Sequence, residues 1–217
     1  MKARIPETDH GIQGEVTVAA YDIMQRNLRD KGWIATNDLM KSGITSGHSL
    51  EIGHGPGYLG LEWLSKTEGT TLTGLDISPD MHALAIQNAS QYELSERVNY
   101  QLGNCDKLPF LDSQFDAVFT NGSLHEWENP IGALNEMWRV VKPGGICFIS
   151  DLRRDINIFV CAFLWLGTKP NSIRSGLMTS IHAAYTPQEL KEMLHKSKLK
   201  GGVVESNLID VKIIVKK

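Results

Sequence analysis

Little in this sequence marks a secreted, membrane-spanning or nucleic-acid-binding protein. Cysteine is scarce: Cys105, Cys147 and Cys161 are the three present, odd in number and far apart, which argues against a disulfide framework and for reduced thiols in a cytoplasmic protein. A hydrophobic signal segment is missing from the opening MKARIPETDHG, so no export is expected. The most apolar run, Ile156 to Leu166 (INIFVCAFLWL), is far shorter than the roughly 20 residues of a spanning helix. It contains Asn157, and a peripheral membrane contact or a dimer surface is left for it. Charge of one sign is also lacking, with 22 Lys and Arg against 25 Asp and Glu for a net charge of −3. That gives no basic field for nucleic acid, and the local excess over Lys191 to Lys200, broken by Glu192, reads as a solvated helix face. The seven histidines are dispersed, with no pair at helical ligand spacing, so no metal site is expected. Internal repeats and low-complexity segments are absent. What remains, 217 residues of which 41% are hydrophobic, suffices for one core and falls short of two ordinary domains.

The informative feature is the stretch Ser49 to Gly60, SLEIGHGPGYLG. An apolar run closes on Glu51 and then on Gly53, Gly55 and Gly57, the pattern of a strand feeding a glycine loop. Glycines permit a tight strand-to-helix turn and let the backbone approach a ligand with no Cβ in the way. A dinucleotide fingerprint would need a further glycine at position 58, where the chain has Tyr58. A G-x-G-x-G loop that cradles the amino-acid end of S-adenosylmethionine fits as written, and Glu51 suits a cationic cofactor better than a pyrophosphate. The next apolar run, TLTGLD, ends in Asp76 before a helix start at Pro79. A carboxylate there can accept from both ribose hydroxyls, with Ile77 offering an apolar face to adenine; the plain alternative is a turn or cap residue.

Two further segments complete a pattern: GNCDKLPFLDSQFDAVF (Gly103 to Phe119), followed by TNGSLHEW to Trp127, and VVKPGGICFIS (Val140 to Ser150). With the glycine loop and Asp76, they resemble the class I S-adenosylmethionine-dependent methyltransferases, in the small-molecule branch that includes the ubiquinone/menaquinone biosynthesis C-methyltransferases. The resemblance covers about Leu50 to Asp151. It implies that Glu51, Gly53, Gly55 and Gly57 hold the methionine end of the cofactor and that Asp76 and Ile77 hold ribose and adenine. Relatives commonly read G-D-A-E before L-P-F, the Asp accepting from the adenine amino group. Here the segment is Gly103-Asn104-Cys105-Asp106, so the matching residue is Asn104, whose amide carbonyl accepts without charge assistance, with Cys105 beside it and Asp106 a weaker candidate for the same work. Asn121 is placed near the sulfonium through its backbone carbonyl.

His125, in the loop that faces the transferable methyl in relatives, is the candidate general base, since an imidazole titrates near neutral pH. Its alternative role is a hydrogen bond across the loop or orientation of the substrate. Strands are expected at Ser49 to Gly53, Thr71 to Asp76, Val98 to Leu102, Phe115 to Thr120 and Gly145 to Ser150. Helices are expected at Tyr58 to Ser65, Pro79 to Ala89, Ile131 to Val140 and Pro187 to Lys196. A terminal hairpin joins Val203 to Ser206 with Val211 to Val215. The expected architecture is α/β, a Rossmann-like, doubly wound, mostly parallel seven-stranded sheet with helices on both faces and a small helical cover. It forms a single domain over residues 1–217, with a cofactor core at about 47–151. Covering segments at about 5–32 and 151–185, carrying Tyr21, Arg153, Arg154, Arg174 and Tyr185, are expected to define the acceptor pocket.

The resulting expectation is an enzyme, cytoplasmic, monomeric or homodimeric, that transfers a methyl group from S-adenosyl-L-methionine to a small-molecule acceptor, leaving S-adenosyl-L-homocysteine. An RNA or protein methyltransferase is the alternative, although N-P-P-Y or D-P-P-Y is absent after the fourth strand, where the chain reads Asn121-Gly122-Ser123-Leu124. A non-catalytic S-adenosylmethionine-binding protein is the other. A nicotinamide dehydrogenase is disfavoured by Tyr58 and by the turn at Lys142 to Gly145.

Overall fold

A computed structural model describes residues 3–7 and 12–217. Seven strands form one sheet in the order β3-β2-β1-β4-β5-β7-β6: β1 (His48–Ile52), β2 (Thr71–Asp76), β3 (Val98–Leu102), β4 (Phe115–Asn121), β5 (Val141–Leu152), β6 (Val203–Ser206) and β7 (Asp210–Lys216). The pairs among β1 to β5 are parallel. β7 runs antiparallel to both β5 and β6, so it alone opposes the rest. The central strands are buried on both faces, as parallel strands beneath helices must be. In β1, Ser49, Leu50, Glu51 and Ile52 are all buried, as are five of the seven residues of β4.

The helices are α1 (Glu15–Asp30), α2 (Thr36–Lys41), α3 (Tyr58–Ser65), α4 (Pro79–Gln91), α5 (Pro130–Val140), α6 (Ile158–Gly167), α7 (Arg174–Ala183) and α8 (Pro187–Lys196). Local chemistry sets their starts. Ser78 caps α4 by accepting from the Met81 amide, with Pro79 in the first turn; Asn129 does the same for α5; and Thr186 with Glu189 forms a capping box on α8. Each such cap is worth about 1 kcal/mol. One face of the sheet packs Trp63, Phe119 and Phe148 with Leu61 and Leu64. The other packs Phe115, Val118, Leu134 and Met137 with Leu190 and Leu194. Full burial of each large side chain contributes roughly 1.5–3 kcal/mol.

The expected strands and helices are present, with ends shifted by a few residues. The fifth strand differs most. Val141 already pairs with Phe115, the ladder shifts before Ala117 pairs with Ile146, and Lys142 to Gly145 bulge out of the strand around Gly144 at φ 83°. The Pro-Gly turn therefore interrupts β5 and does not precede it. α2 was not foreseen; α1, α6 and α7 fall in the segments expected to form a helical cover, where no individual helices were placed. The strand order reverses direction between β1 and β4, and at such a point the loops splay apart and leave a crevice at the carboxyl ends of the strands.

Candidate active site at the carboxyl edge of the sheet

A cavity of about 150 Å3 occupies that crevice. Its wall takes residues from four strand ends: Glu51 to Pro56 with Tyr58 at β1, Leu75 to Ile77 at β2, Gly103 to Asp106 after β3, and Asn121 to Ser123 with Glu126 to Glu128 after β4. The roof is Glu7, Ile12, Tyr21, Gln25 and Ile34. All the cofactor-binding candidates read from the sequence except Gly57 lie in this wall: Glu51, Gly53, Gly55, Asp76, Ile77, Asn104, Cys105 and Asn121. Gly57 caps α3 just behind it at φ 85°.

The loop geometry requires its glycines. Gly53 has φ 67°, and a Cβ there would run into the Ser123 side chain. Asp76 ties the loop to β2, one carboxylate oxygen accepting from the Gly55 amide at 2.8 Å and the other from the Ser78 amide at 2.9 Å. A carboxylate offers about four acceptor positions, so each oxygen retains capacity toward a ligand. Glu51 is fully enclosed, with Oε2 lacking a hydrogen-bond partner among the described residues. Burial, and then the neighbouring Asp76 charge, hold its pKa well above the usual carboxylate range. An orphaned carboxylate oxygen beneath a glycine cradle fits a ligand that brings a cationic amine.

At the third strand end the two candidate acceptors have different surroundings. Asn104 Oδ1 accepts from the Asp106 amide at 2.8 Å, so the amide carbonyl shapes the turn. Asp106 Oδ1 is buried without a hydrogen-bond partner among the described residues. Its pKa is raised by burial and then by Glu128. Burial pushes the Cys105 thiol up to about 12, which keeps it protonated and unreactive.

His125 is buried behind the wall and is not among the cavity-lining residues. Asp151 holds it twice, through Nδ1 at 2.8 Å and through the backbone amide at 2.9 Å. Arg4 donates to the His125 carbonyl at 2.7 Å. Nε2 faces Glu7 Oε2 at 3.4 Å and Glu126 Oε1 at 3.9 Å. Burial opposes a charge on this imidazole, but Asp151, Glu7 and Glu126 together outweigh it and raise its pKa well above the usual value. Glu126 is pushed up to about 7, by burial first and by Glu7, Asp151 and Asp76 against the lowering effect of His125.

Residues 151–185 contribute nothing to the described cavity wall. Their arginines are engaged elsewhere: Arg153 with Asp155 at 2.7 Å, Arg154 with Glu189 and the Ala184 carbonyl, and Arg174 over the Trp165 ring at 4.4 Å. Each guanidinium is engaged within the chain, although Arg154 Nε is buried without a hydrogen-bond partner among the described residues. The roof is supplied by residues 3–7 and α1. Ile5 bonds to the His182 carbonyl, Gly14 to Asp80, and the Tyr58 hydroxyl to Asp22.

Sequence reading passed over His54 and Glu7. His54 sits inside the glycine loop, where its position was a usable signal. Nδ1 bonds to the Gly55 carbonyl at 2.7 Å, Nε2 is buried without a hydrogen-bond partner among the described residues, and burial lowers its pKa despite Asp76. Glu7 carries no local signal, because only tertiary folding brings it to His125.

Residues 50–149 match the family model described as a methyltransferase domain. The ubiquinone/menaquinone biosynthesis C-methyltransferase of Geotalea daltonii is 30% identical over 135 residues, covering 60% of this chain and 57% of that protein. Its counterpart from a Geobacter species is 26% identical over 88% of this chain and 84% of its own length. The first of these alignments thus spans little more than half of the relative. A solved structure of a proposed S-adenosyl-L-methionine-dependent methyltransferase from Methanococcus maripaludis superposes with a TM-score of 0.76 at 20% identity, covering 98% of this chain and 97% of that one. The glycine loop, the Asp76 turn and the strand order all fall within or frame the matched segment: residues 50–149 are similar to a methyltransferase domain, and the chain has the fold of the class I S-adenosylmethionine-dependent methyltransferases.

Proposed function

We propose that the protein binds S-adenosyl-L-methionine in the cavity at the β1–β4 switch point and methylates a small, partly apolar acceptor. The observation that carries this reading is the convergence of the glycine loop, Asp76, Asp106 and Asn121 from four successive strand ends on one cavity. When bound, S-adenosylmethionine supplies a methyl group on a sulfonium; the nucleophile's lone pair forms the new bond while the C–S pair returns to sulfur, leaving S-adenosylhomocysteine. The chain's own part is positioning. Gly53 and Gly55 admit the methionine end, Glu51 meets its ammonium, Asp76 accepts from the ribose, and Ile77 lies flat against the base. Asp106, with its free buried oxygen, takes the adenine amino group in preference to Asn104.

On the acceptor side, Glu7 and Glu126 face the cavity with Tyr21 and Trp127. They present acceptors to an O–H, N–H or S–H of the substrate, and holding that group near the methyl can supply much of the rate. His125, behind them, acts through Glu7 and Glu126 as a positioning residue and does not itself meet the substrate. Glu7, Asp106, Glu126 and Glu128 around the cavity disfavour a polyanionic substrate such as RNA. Three free thiols fit a cytoplasmic setting, and no described helix is long and apolar enough to cross a membrane.

Calorimetry with S-adenosylhomocysteine tests the reading. Micromolar affinity, on the order of −8 kcal/mol, and no binding of NAD are expected. Tight NAD binding without a response to S-adenosylhomocysteine would overturn it.

A further inference from the structure

We propose that Glu7, His125 and Glu126 form a site for one divalent transition-metal ion of the zinc type, on the acceptor side of the cavity. Their donor atoms lie within 4.8 Å of one another. The set joins a carboxylate from the N-terminal segment to two neighbours in the short turn after β4.

The imidazole is the observation that makes this more than an acidic cluster. Its side chain is 4% exposed. Nδ1 is fixed by Asp151 at 2.8 Å, so in the neutral ring the lone pair is on Nε2. That atom is buried and makes no hydrogen bond among the described residues. What faces it are two carboxylates, neither of which can donate when ionised. Either a proton or a metal must fill the gap. A proton would draw the carboxylates to the 2.7–2.9 Å typical of a charge-assisted N–H···O contact. The separations are 3.4 Å and 3.9 Å, and ligands set tetrahedrally about 2.1 Å from a zinc-type ion stand about 3.4 Å apart.

The surroundings support the same assignment. A carboxylate accepting from the far nitrogen of a metal-bound histidine is the usual way such a ring is oriented, and Asp151 is placed to do this. Glu7 is held from its other oxygen by Ser180 at 3.3 Å, which leaves Oε2 pointing at the imidazole. Arg4 fastens the turn through the His125 carbonyl. An imidazole with two carboxylates favours zinc-type or manganese-type ions over magnesium or calcium. Three protein donors leave a fourth position open, as in sites that take a ligand. Since Glu7 and Glu126 line the cavity, that position faces the acceptor. This use of the site rests on the methyl-transfer reading, whereas the ion binding itself does not.

Full-length protein stripped with EDTA and titrated with Zn2+ by calorimetry, with Mn2+ followed by electron paramagnetic resonance, tests the site. One equivalent bound with Kd below about 100 μM is expected. Glu126→Gln and Glu7→Gln are expected to weaken it tenfold or more, and Asp151→Asn by about 10- to 100-fold. The variants' thermal melts serve as the check that they fold, and the two glutamates, at the cavity rim, are the pair that decides if Asp151→Asn does not. Weaker binding of both ions by folded wild-type protein overturns the proposal, as does affinity unchanged in both glutamate variants. Titration of S-adenosylhomocysteine in the same preparation separates the two conclusions: its binding without Zn2+ binding ends this inference alone, and the converse ends the methyltransferase reading alone.

Discussion

Asp151 grips His125 at both ends of one residue, taking the ring nitrogen on Oδ1 and the backbone amide on Oδ2. Oδ1 also accepts from the Leu152 amide at 2.7 Å. A single carboxylate at the end of β5 thereby sets both the turn after β4 and the tilt of its imidazole. Asp151→Asn preserves shape but replaces one acceptor oxygen by a donor, which then opposes either the His125 amide or the ring N–H. Hydrogen bonds to a charged acceptor contribute about 1.5–3 kcal/mol, and a loss of that size is expected in urea denaturation. A change under about 0.5 kcal/mol would show that the turn is held by packing alone.

Gly53 and Gly55 separate two costs that usually occur together. Both have positive φ, 67° and 52°. A Cβ on Gly53 meets Ser123, while on Gly55 the nearest atom is a Tyr21 ring carbon at an ordinary 3.7 Å. Alanine at either position pays the left-handed backbone cost, roughly 1–2 kcal/mol. Gly53→Ala must in addition displace the Ser123 hydroxyl that accepts from Trp127. Gly53→Ala should therefore lower stability more than Gly55→Ala, read as urea midpoints; equal losses would mean that Ser123 moves freely.

Glu51 links the glycine loop to stability. Its folded pKa lies above the unfolded value, because burial and Asp76 disfavour the charged form. The folded state therefore holds a proton that the unfolded chain releases, so this group's contribution is complete below the unfolded pKa near 4.3 and is lost as pH rises through the raised folded value. The slope is at most about 1.4 kcal/mol per pH unit. Glu51→Gln abolishes it, so the variant should gain on wild type in urea midpoint at pH 8 relative to pH 5. The same variant should bind S-adenosylhomocysteine more weakly. Parallel pH profiles for the two proteins would place the ionisation elsewhere.

Much of this was legible because it is local. The glycine loop and Asp76 before the helix start at Pro79 are short-range patterns whose chemistry needs no partner from elsewhere. The sheet followed from alternating strands and helices. That Asn104 would close the turn on the Asp106 amide was not legible, because which of two nearby acceptors does so is decided by backbone direction. His125 illustrates the same limit. Its residue type suggested a base or a hydrogen bond across the loop, and the partners that hold it behind the wall, Asp151 and Glu7, are distant in the chain. For Arg153, Arg154 and Arg174 the sequence left open a substrate contact or an intrachain pair, and only folding names Asp155, Glu189 and Trp165 as their partners.

Asp106 and Asn104 can be told apart directly. Asp106 has a buried oxygen with no hydrogen-bond partner among the described residues, whereas the Asn104 carbonyl already accepts one hydrogen bond within the turn. Asp106→Ala is expected to weaken S-adenosylhomocysteine binding tenfold or more, about 1.4 kcal/mol. Asn104→Asp, which can still accept from the Asp106 amide, should change it little. The opposite ranking by calorimetry would return the adenine contact to Asn104.

The roof of the cavity and the apolar helices make opposite predictions for hydrogen exchange. Residues 12–30 cover the cavity through Ile12, Tyr21 and Gln25, and are tied to the core by a few polar contacts: Ser78 to the Ile12 carbonyl, Gly14 to Asp80 and Tyr58 to Asp22. A segment held that way opens at low free energy when nothing lies beneath it. A ligand filling the cavity adds contacts to Tyr21 and Ile12 and should slow exchange there by the factor its binding contributes. α6 and α7 touch none of the described wall, and α6 exposes Ile158, Phe159, Phe163 and Leu166. Their exchange should be the same with and without S-adenosylhomocysteine. Protection gained in residues 158–183 but not in 12–30 would move the acceptor pocket to the other side of the turn at His125.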